Sequence, residues 1–325
     1  MIPDISVVVP LLNEVENLVE LHQQLSETFK QVGRPYELVF VDDGSTDNSF
    51  DVLRKLQESD SQLRLIRLRR NFGQTAAFAA GIAHARGRLI VTSDADLQND
   101  PHDIPSMVEK LEQGYDMVCG WRRNRKDPFL TRRVPSMIAN RLISSTTGVR
   151  LHDYGCSLKV FRAEVIKSMK LYGEMHRFIP AIASEQGVKI AEVEVNHRPR
   201  PHGESKYGLS RTLRVMLDLV TVKFLLSYST RPLQIFGLVG LVMGLIGSVI
   251  TGWLGYVRLF GGQAISNRPL LFLGILLIFT GVQFVTLGLL AELQARTYHE
   301  SQDKPTYFIR DILDGPHYSG ENEKV

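Results

Sequence analysis

Apolar and polar positions alternate in two different ways along the chain. Over the first 120 residues, short β-branched runs are separated by longer amphipathic stretches. Segments 5–10, 36–41, 64–68, 88–93 and 116–120 read as strands, and 15–32, 48–59, 74–85 and 103–113 read as helices. Thr46 or Asp47 can cap the second helix. This alternation predicts an α/β domain with an open, mostly parallel sheet and helices on both faces. In such sheets ligands bind beyond the carboxyl ends of the strands. Further on, 121–150 interleaves Arg122, Arg123, Arg125, Arg132, Arg133 and Arg141 with apolar residues, and 209–228 mixes basic and apolar residues again. Both read as amphipathic interfacial helices, about 128–148 and 208–230. Residues 232–257 and 269–291 contain no Asp, Glu, Lys or Arg. Each exceeds the roughly 20 residues a helix needs to cross a bilayer, so two transmembrane helices are expected.

The chain should therefore divide into a catalytic domain at 1–207, an interfacial helix at 208–230, two spans within 231–295, and a strand and tail at 296–325. Segment 306–313 reads as one short strand that could extend the sheet of a neighbouring subunit, giving a homo-oligomer. A formal net charge of +3 on 325 residues makes no case for nucleic acid. Its distribution is more informative. Arg211, Arg214, Lys223 and Arg231 precede the first span, which favours a cytoplasmic catalytic domain on an inner or plasma membrane. Arg258 and Arg268 flank the loop between the spans, so the bias is not one-sided. Two crossings would return the chain to its starting side. The apolar run at 5–10 lacks the length and basic flank of a signal peptide. Cys119 and Cys156 form no disulfide framework, which suits a reducing compartment.

The strongest chemical signal is Asp94-Ala95-Asp96-Leu97-Gln98 at the end of the fourth strand. In an extended segment residues two apart face the same way, so Asp94, Asp96 and Gln98 could converge as oxygen ligands for Mg²⁺ or Mn²⁺. A lone Asp-x-Asp is more often a solvated turn; its place at the ligand edge favours metal. Asp42 and Asp43 follow the second strand, where a carboxylate can accept from ribose or base. Pro10-Leu11-Leu12-Asn13-Glu14 ends the first strand and is equally a helix entry.

Together, VVVPLLNEVENL, VDDGSTD, RNFGQTAAFAAG and DADLQNDP resemble the family-2 glycosyltransferases of GT-A fold. DYGCSLKVFRAE and HRPRPHGESKYGLSR narrow the resemblance to polyprenyl-phosphate glycosyltransferases, a group that includes dolichol-phosphate mannose synthases and bacterial undecaprenyl-phosphate glucosyltransferases. The resemblance implies a nucleoside pocket at Pro10, Leu12, Asn13, Glu14, Asp42 and Asp43. It implies a metal on Asp94, Asp96 and Gln98, and an acceptor-side carboxylate at Asp153. Arg198, Ser205 and Lys206 would close over the diphosphate, and Arg122, Arg132 and Ser136 would meet the lipid phosphate. Gly120-Trp121-Arg122 stands where the family often has Gly-Ser-Arg, which keeps the arginine and loses a serine.

The expected reaction is inverting transfer of one hexose from a nucleotide-sugar to a polyisoprenyl phosphate, with Asp153 either a base or an orienting group. UDP-glucose is the expected donor and undecaprenyl phosphate the expected acceptor, with GDP-mannose as the alternative donor and a modified pentose or N-acetylhexosamine donor left open. A hydroxyl-acceptor lipid glycosyltransferase and a degenerate membrane scaffold are the competing readings.

Overall fold

Strand β1 (Ile5–Leu11) is buried along its whole length, as a run apolar on both faces requires. The computed structural model describes residues 2–123, 144, 148–171, 175–199, 233–262, 269–301 and 307–315. The chain forms two compact units, 1–219 with 305–325, and 220–304.

In the first unit β1 lies between β2 (Tyr36–Asp42) and β4 (Leu89–Thr92), parallel to both, and β3 (Leu63–Leu68) continues in parallel beyond β2. The remaining strands are β5 (Met117–Trp121), β6 (Lys159–Arg162), β7 (Ile190–Glu194) and β8 (Ile309–Leu313), and the sheet order is β7-β5-β6-β4-β1-β2-β3-β8. Helices α1 (Leu18–Val32), α2 (Ser49–Ser59), α3 (Gln74–His84) and α4 (Ile104–Glu112) follow the first, second, third and fourth strands. The pleat of β1 decides what each face meets. Ile5, Val7, Val9 and Leu11 join one core with Leu18, Leu21, Leu25 and Phe29 of α1 and Ile104, Met107 and Leu111 of α4. Val8 faces the other way, onto α3, where a Cβ at Gly81 would lie 2.3 Å from its Cγ1. Each of these fully buried aliphatic or aromatic side chains contributes about 1.5–3 kcal/mol.

The sheet is more mixed than the alternation implied. β6 runs antiparallel to β4 and β5, and β8 runs antiparallel to β3. The reading also passed over β6, β7 and the short helices α5 (Ala163–Lys167) and α6 (Ile179–Glu185), which are too brief to show a period. Strand β8 corrects another expectation. It extends the chain's own sheet rather than a neighbour's, and Asp314 just beyond it pairs with Arg64 at 2.9 Å and Arg86 at 3.3 Å. The interfacial helices at about 128–148 and 208–230 fall almost wholly outside the described residues.

The second unit contains α7 (Leu233–Gly261) and α8 (Pro269–Ser301), with stretches Phe236–Gly261 and Pro269–Ala291 long and apolar enough to cross a membrane. The helices meet through glycine: a Cβ at Gly240 would lie 2.5 Å from the Gly281 carbonyl oxygen, and one at Gly247 2.6 Å from that of Gly274. Backbones this close need small residues at the crossing. Leu241, Leu245, Val249, Phe272, Leu276 and Phe279 point outward and are exposed, which suits a surrounding of lipid.

Candidate active site

The parallel strands end at one edge, and the polar segments following β1, β2 and β4 are tied together there. Asp43 N donates to Leu11 O, and Ser93 N donates to Val8 O. Asn13 has φ 56°, a left-handed backbone that asparagine tolerates better than most residues. Its side-chain oxygen accepts from Thr46 N at 2.8 Å, and its own N–H donates to Ser45 Oγ at 3.0 Å. Glu14 N donates to Ser49 Oγ. Asp42 accepts from Ser45 N at 2.8 Å and faces Arg67 Nε at 3.5 Å. Asp43 accepts from Phe72 N and Gly73 N at 2.8 and 2.9 Å, clamping the loop before α3. Burial nevertheless pushes the Asp43 carboxyl above its ordinary range. Gly44 is required beside it, because a Cβ there would lie 2.6 Å from the Arg70 backbone.

The acidic turn is bent rather than extended. β4 stops at Thr92, and Leu97 adopts φ 59°, so the alternation that would align Gln98 with Asp94 and Asp96 breaks between them. Asp94 accepts from Gln74 Nε2 at 2.7 Å, and Asp96 accepts from Gln98 N at 3.2 Å. Burial and then the neighbouring Asp96 charge hold the Asp94 carboxyl above its ordinary value. Two carboxylates that repel each other at a ligand edge are poised for a cation.

A second group of charges reaches this edge because β6 is antiparallel. Its first residue, Lys159, pairs with Thr92 of β4 and Cys119 of β5, so the loop entering β6 lies where the parallel strands end. That loop carries Asp153. Arg122, one residue beyond β5, grips it bidentately: Nε to Oδ2 at 2.7 Å and Nη2 to Oδ1 at 3.0 Å. Burial opposes the Arg122 charge, but Asp153 outweighs it and raises the guanidinium further. Gly155 N also donates to Asp153 Oδ1. Glu192 of β7 accepts from Asp153 N and His152 N, and His152 stacks on Trp121 with ring centres 4.2 Å apart.

Beside Asp94 lies a cavity of about 50 Å³ whose wall includes Gln74, Ser157, Lys159, His176 and Arg177. Lys159 is buried, and its ammonium donates to the Cys156 carbonyl. His176 Nδ1 is 2.6 Å from Thr75 Oγ1. Burial first, then Arg177 and Lys159, hold this imidazole well below its ordinary value, so it is neutral at pH 7. Burial also pushes the Cys119 thiol up to about 12 and raises Cys156, which makes neither a ready nucleophile.

Residues 6–169 match the family model described as glycosyl transferase family 2. The chain belongs to this family. Dodecaprenyl-phosphate galacturonate synthase of Rhizobium johnstonii is 48% identical to this glycosyltransferase over 317 residues, 96% of this chain and 93% of the relative. Undecaprenyl-phosphate 4-deoxy-4-formamido-L-arabinose transferase of Edwardsiella ictaluri is 40% identical over 322 residues, 98% of this chain and 97% of the relative. Among solved structures, glucosyl-3-phosphoglycerate synthase from Mycobacterium tuberculosis, in complex with Mn²⁺ and UDP-glucose, superposes with a TM-score of 0.54 at 20% identity, covering 68% of this chain and 79% of the other. That likeness establishes the GT-A-like fold. The enzyme class and fold expected from the motifs are thus borne out.

Within this glycosyltransferase the structure brings Asp94, Asp96, Arg122 and Asp153 into one electrostatic neighbourhood. It sets Pro10, Leu12, Asn13, Glu14, Asp42 and Asp43 at the neighbouring strand ends. Arg198 is differently engaged: its guanidinium binds Asp100 Oδ2 at 2.6 Å and Gln24 Oε1 at 2.8 Å, while its N–H donates to Gln98 O. Ser205, Lys206, Arg132 and Ser136 lie outside the described residues. Sequence reasoning missed Gln74, Ser157, Lys159, His176 and Glu192. Of these, Gln74, Ser157 and Lys159 lay inside quoted motifs, yet no local pattern says which motif residues face the site.

Proposed function

We propose that this enzyme transfers a single sugar from a nucleoside-diphosphate sugar to a polyprenyl phosphate at a membrane surface. The buried Arg122–Asp153 pair beside the Asp94–Asp96 turn carries this reading. It places an oriented guanidinium, suited to a phosphate, next to carboxylates suited to a cation. An oxygen of the acceptor phosphate attacks C1 of the sugar, the bond from C1 to the diphosphate breaks, and the nucleoside diphosphate leaves with the electron pair. One displacement inverts the anomeric centre. Because the acceptor is already anionic, Asp153 acts by orienting Arg122 rather than by taking a proton. Asp42, Asp43 and the 10–14 segment hold the nucleoside. Arg198, Ser205 and Lys206 close on the diphosphate, with Arg198 first leaving Asp100. Arg132 and Ser136 join Arg122 at the lipid phosphate.

The donor set fits a divalent metal that shares its coordination with substrate. Among the described residues no group of three or more His, Cys, Asp or Glu forms a complete cage. Asp96 with Asp94, and Gln98 after rearrangement, would hold Mg²⁺ or Mn²⁺, leaving positions for diphosphate oxygens. When bound, the ion would neutralise charge on the leaving group. The solved relative's Mn²⁺ supports the same choice.

The relatives' names, with galacturonate and 4-deoxy-4-formamido-L-arabinose, support a reading of the sugar. In the galacto and L-arabino series the C4 substituent is axial, whereas in glucose it is equatorial. A galacto-configured donor is therefore our reading, and UDP-glucose, the donor expected from sequence, becomes the comparison. The two apolar helices would cross the membrane twice, leaving the catalytic unit cytoplasmic. The relatives' polyprenyl-phosphate names weigh against a hydroxyl acceptor.

The test is transfer of labelled sugar to undecaprenyl phosphate by the full chain in detergent, offering UDP-galacturonate, UDP-galactose, UDP-glucose and GDP-mannose separately with Mn²⁺ or Mg²⁺. Labelled lipid that disappears with chelator and in Asp96→Ala is the expected result. Sugar passed only to diacylglycerol would refute the phosphate acceptor.

A further inference from the structure

Residues 69–73, which join β3 to α3, are held from two sides. On the first stand Asp43 and Gly44. Asp43 accepts from Phe72 N and Gly73 N, and the Arg70 backbone lies so close that a Cβ at Gly44 would come within 2.6 Å of it. In packing this close, the turn that carries Asp43 cannot shift without the loop, nor the loop without the turn.

The second side is built by the far end of the chain. Arg69 N donates to Phe308 O at 2.9 Å, and Arg69 Nε donates to Ile309 O at 3.4 Å. The Phe308 ring packs on Phe72 with ring centres 6.0 Å apart, and the Arg70 guanidinium lies over the Phe72 ring, 4.4 Å from its centre. A bulge sets this arrangement. Leu65, Ile66 and Arg67 pair with Leu313, Ile312 and Asp311, but Leu68 pairs with Ile309, which leaves Arg310 as an extra residue in β8. The one-residue shift puts Phe308, rather than Ile309, opposite Arg69. Bulges of this kind re-aim a side chain beside a site. At 61% exposed, Phe308 adds little to the core, so its ring acts mainly through Phe72.

We propose that Phe308 is a positioning residue for the nucleotide donor: through Phe72 it keeps the 69–73 loop against Asp43, and with it the turn that receives the nucleoside. This rests on the reading that Asp42 and Asp43 line the nucleoside pocket. It adds that the pocket is completed by a segment that follows both apolar helices in the chain. Phe308 itself need not touch the donor. A loop that spends part of its time away from Asp43 binds nucleotide more weakly, in proportion to the fraction of molecules left competent. The chemical step involves neither aromatic ring, so it is unchanged once donor saturates the site.

The test is calorimetric titration of the full chain in detergent with UDP and with GDP, each with Mn²⁺, beside steady-state transfer. Phe308→Ala should weaken binding of whichever nucleotide the parent takes by about 2- to 10-fold, the worth of one aromatic pair. The KM for the sugar nucleotide should rise by the same factor, with kcat and the KM for the lipid unchanged. Phe308→Tyr keeps the ring and should retain the parent's affinity. Ile312→Ala is the control: it truncates a half-buried side chain of the same strand, opposite Ile66 and away from the loop. It should lower the melting temperature and leave nucleotide affinity alone. Parent-like affinity in Phe308→Ala overturns the proposal, and so does an equal loss in Ile312→Ala, which would assign the effect to the strand as a whole. Asp42→Asn separates this proposal from the reading beneath it. Affinity that survives Asp42→Asn sinks the pocket reading, whereas affinity that falls there but not in Phe308→Ala sinks the positioning role alone. A parent that binds neither nucleotide refutes both.

Discussion

Asp153→Asn would leave the Arg122 guanidinium buried without its counter-charge, since the two side chains are only 3% and 13% exposed. Removing one partner of a buried ion pair costs about 3–5 kcal/mol, chiefly through the charge left behind. The asparagine oxygen can still accept from Gly155 N, so the loss should sit towards the lower figure. In a catalytic unit of this size each kcal/mol moves the melting temperature by about 2–4 °C, which puts the variant some 6–12 °C below the parent. Arg122→Met is the mirror case, with a carboxylate stranded instead. The double variant removes both charges at once, and neutral replacements of similar volume are often close to neutral in stability. It should therefore recover most of what either single change loses. The assay is a double-mutant cycle on the full chain in detergent, read by near-ultraviolet circular dichroism, with sugar transfer measured alongside. Recovered stability with transfer still absent would separate the folding role of the pair from its role towards phosphate. Losses that simply add would refute the reasoning, because they would mean that neither charge depends on the other.

Two further outcomes follow from other parts of the molecule. Gly281→Leu should force α7 and α8 apart, since even a Cβ there would lie 2.6 Å from the Gly240 carbonyl oxygen, while Gly252→Ala, with nothing within 4 Å, should be silent. Limited proteolysis in detergent distinguishes them, and equal resistance would contradict the close crossing. Asp60 accepts from His22 Nε2 at 2.7 Å and from Gln62 N at 2.8 Å. Burial works against ionisation, but these bonds prevail and hold its carboxyl below the ordinary 3.8. A depressed carboxylate stabilises the fold above its unfolded value and loses that contribution as pH falls through the folded value. The melting difference between the parent and Asp60→Asn should therefore shrink between pH 6 and pH 3, and a constant difference would show that the carboxylate charge is not responsible.

The legible parts of this protein were those in which one period runs long enough to be counted. β1 and β2 are mostly apolar runs, broken by Ser6 and Glu37, and α1 carries a helical stripe, so their positions followed from spacing. β6 has four residues and begins with a lysine that looks solvent-facing in isolation; only the antiparallel insertion between β4 and β5 buries it. The acidic turn shows the same division between chemistry and geometry. Asp94 and Asp96 suggested a cation site by composition, but the left-handed Leu97 between Asp96 and Gln98 is a backbone event that strand spacing cannot foresee. Asn13, read as a pocket residue, spends its side-chain oxygen tying the first and second strand ends together. The Arg122–Asp153 pair joins residues 31 positions apart, and what brought them together was topology rather than any local signal.

Strand β8 makes the order of synthesis matter. It is translated after α8, yet it belongs beside β3, so the catalytic sheet stays one strand short until both apolar helices have emerged. If those helices cross a bilayer, a chain that threads only one of them strands residues 309–313 on the opposite side, where they cannot reach β3. The open N–H and C=O groups along β3 would then form a sticky, unprotected edge. Closure of the sheet would then require that both helices had been threaded. The same logic warns against trimming the protein before α7 to obtain a soluble fragment, since the cut discards the piece that seals the sheet.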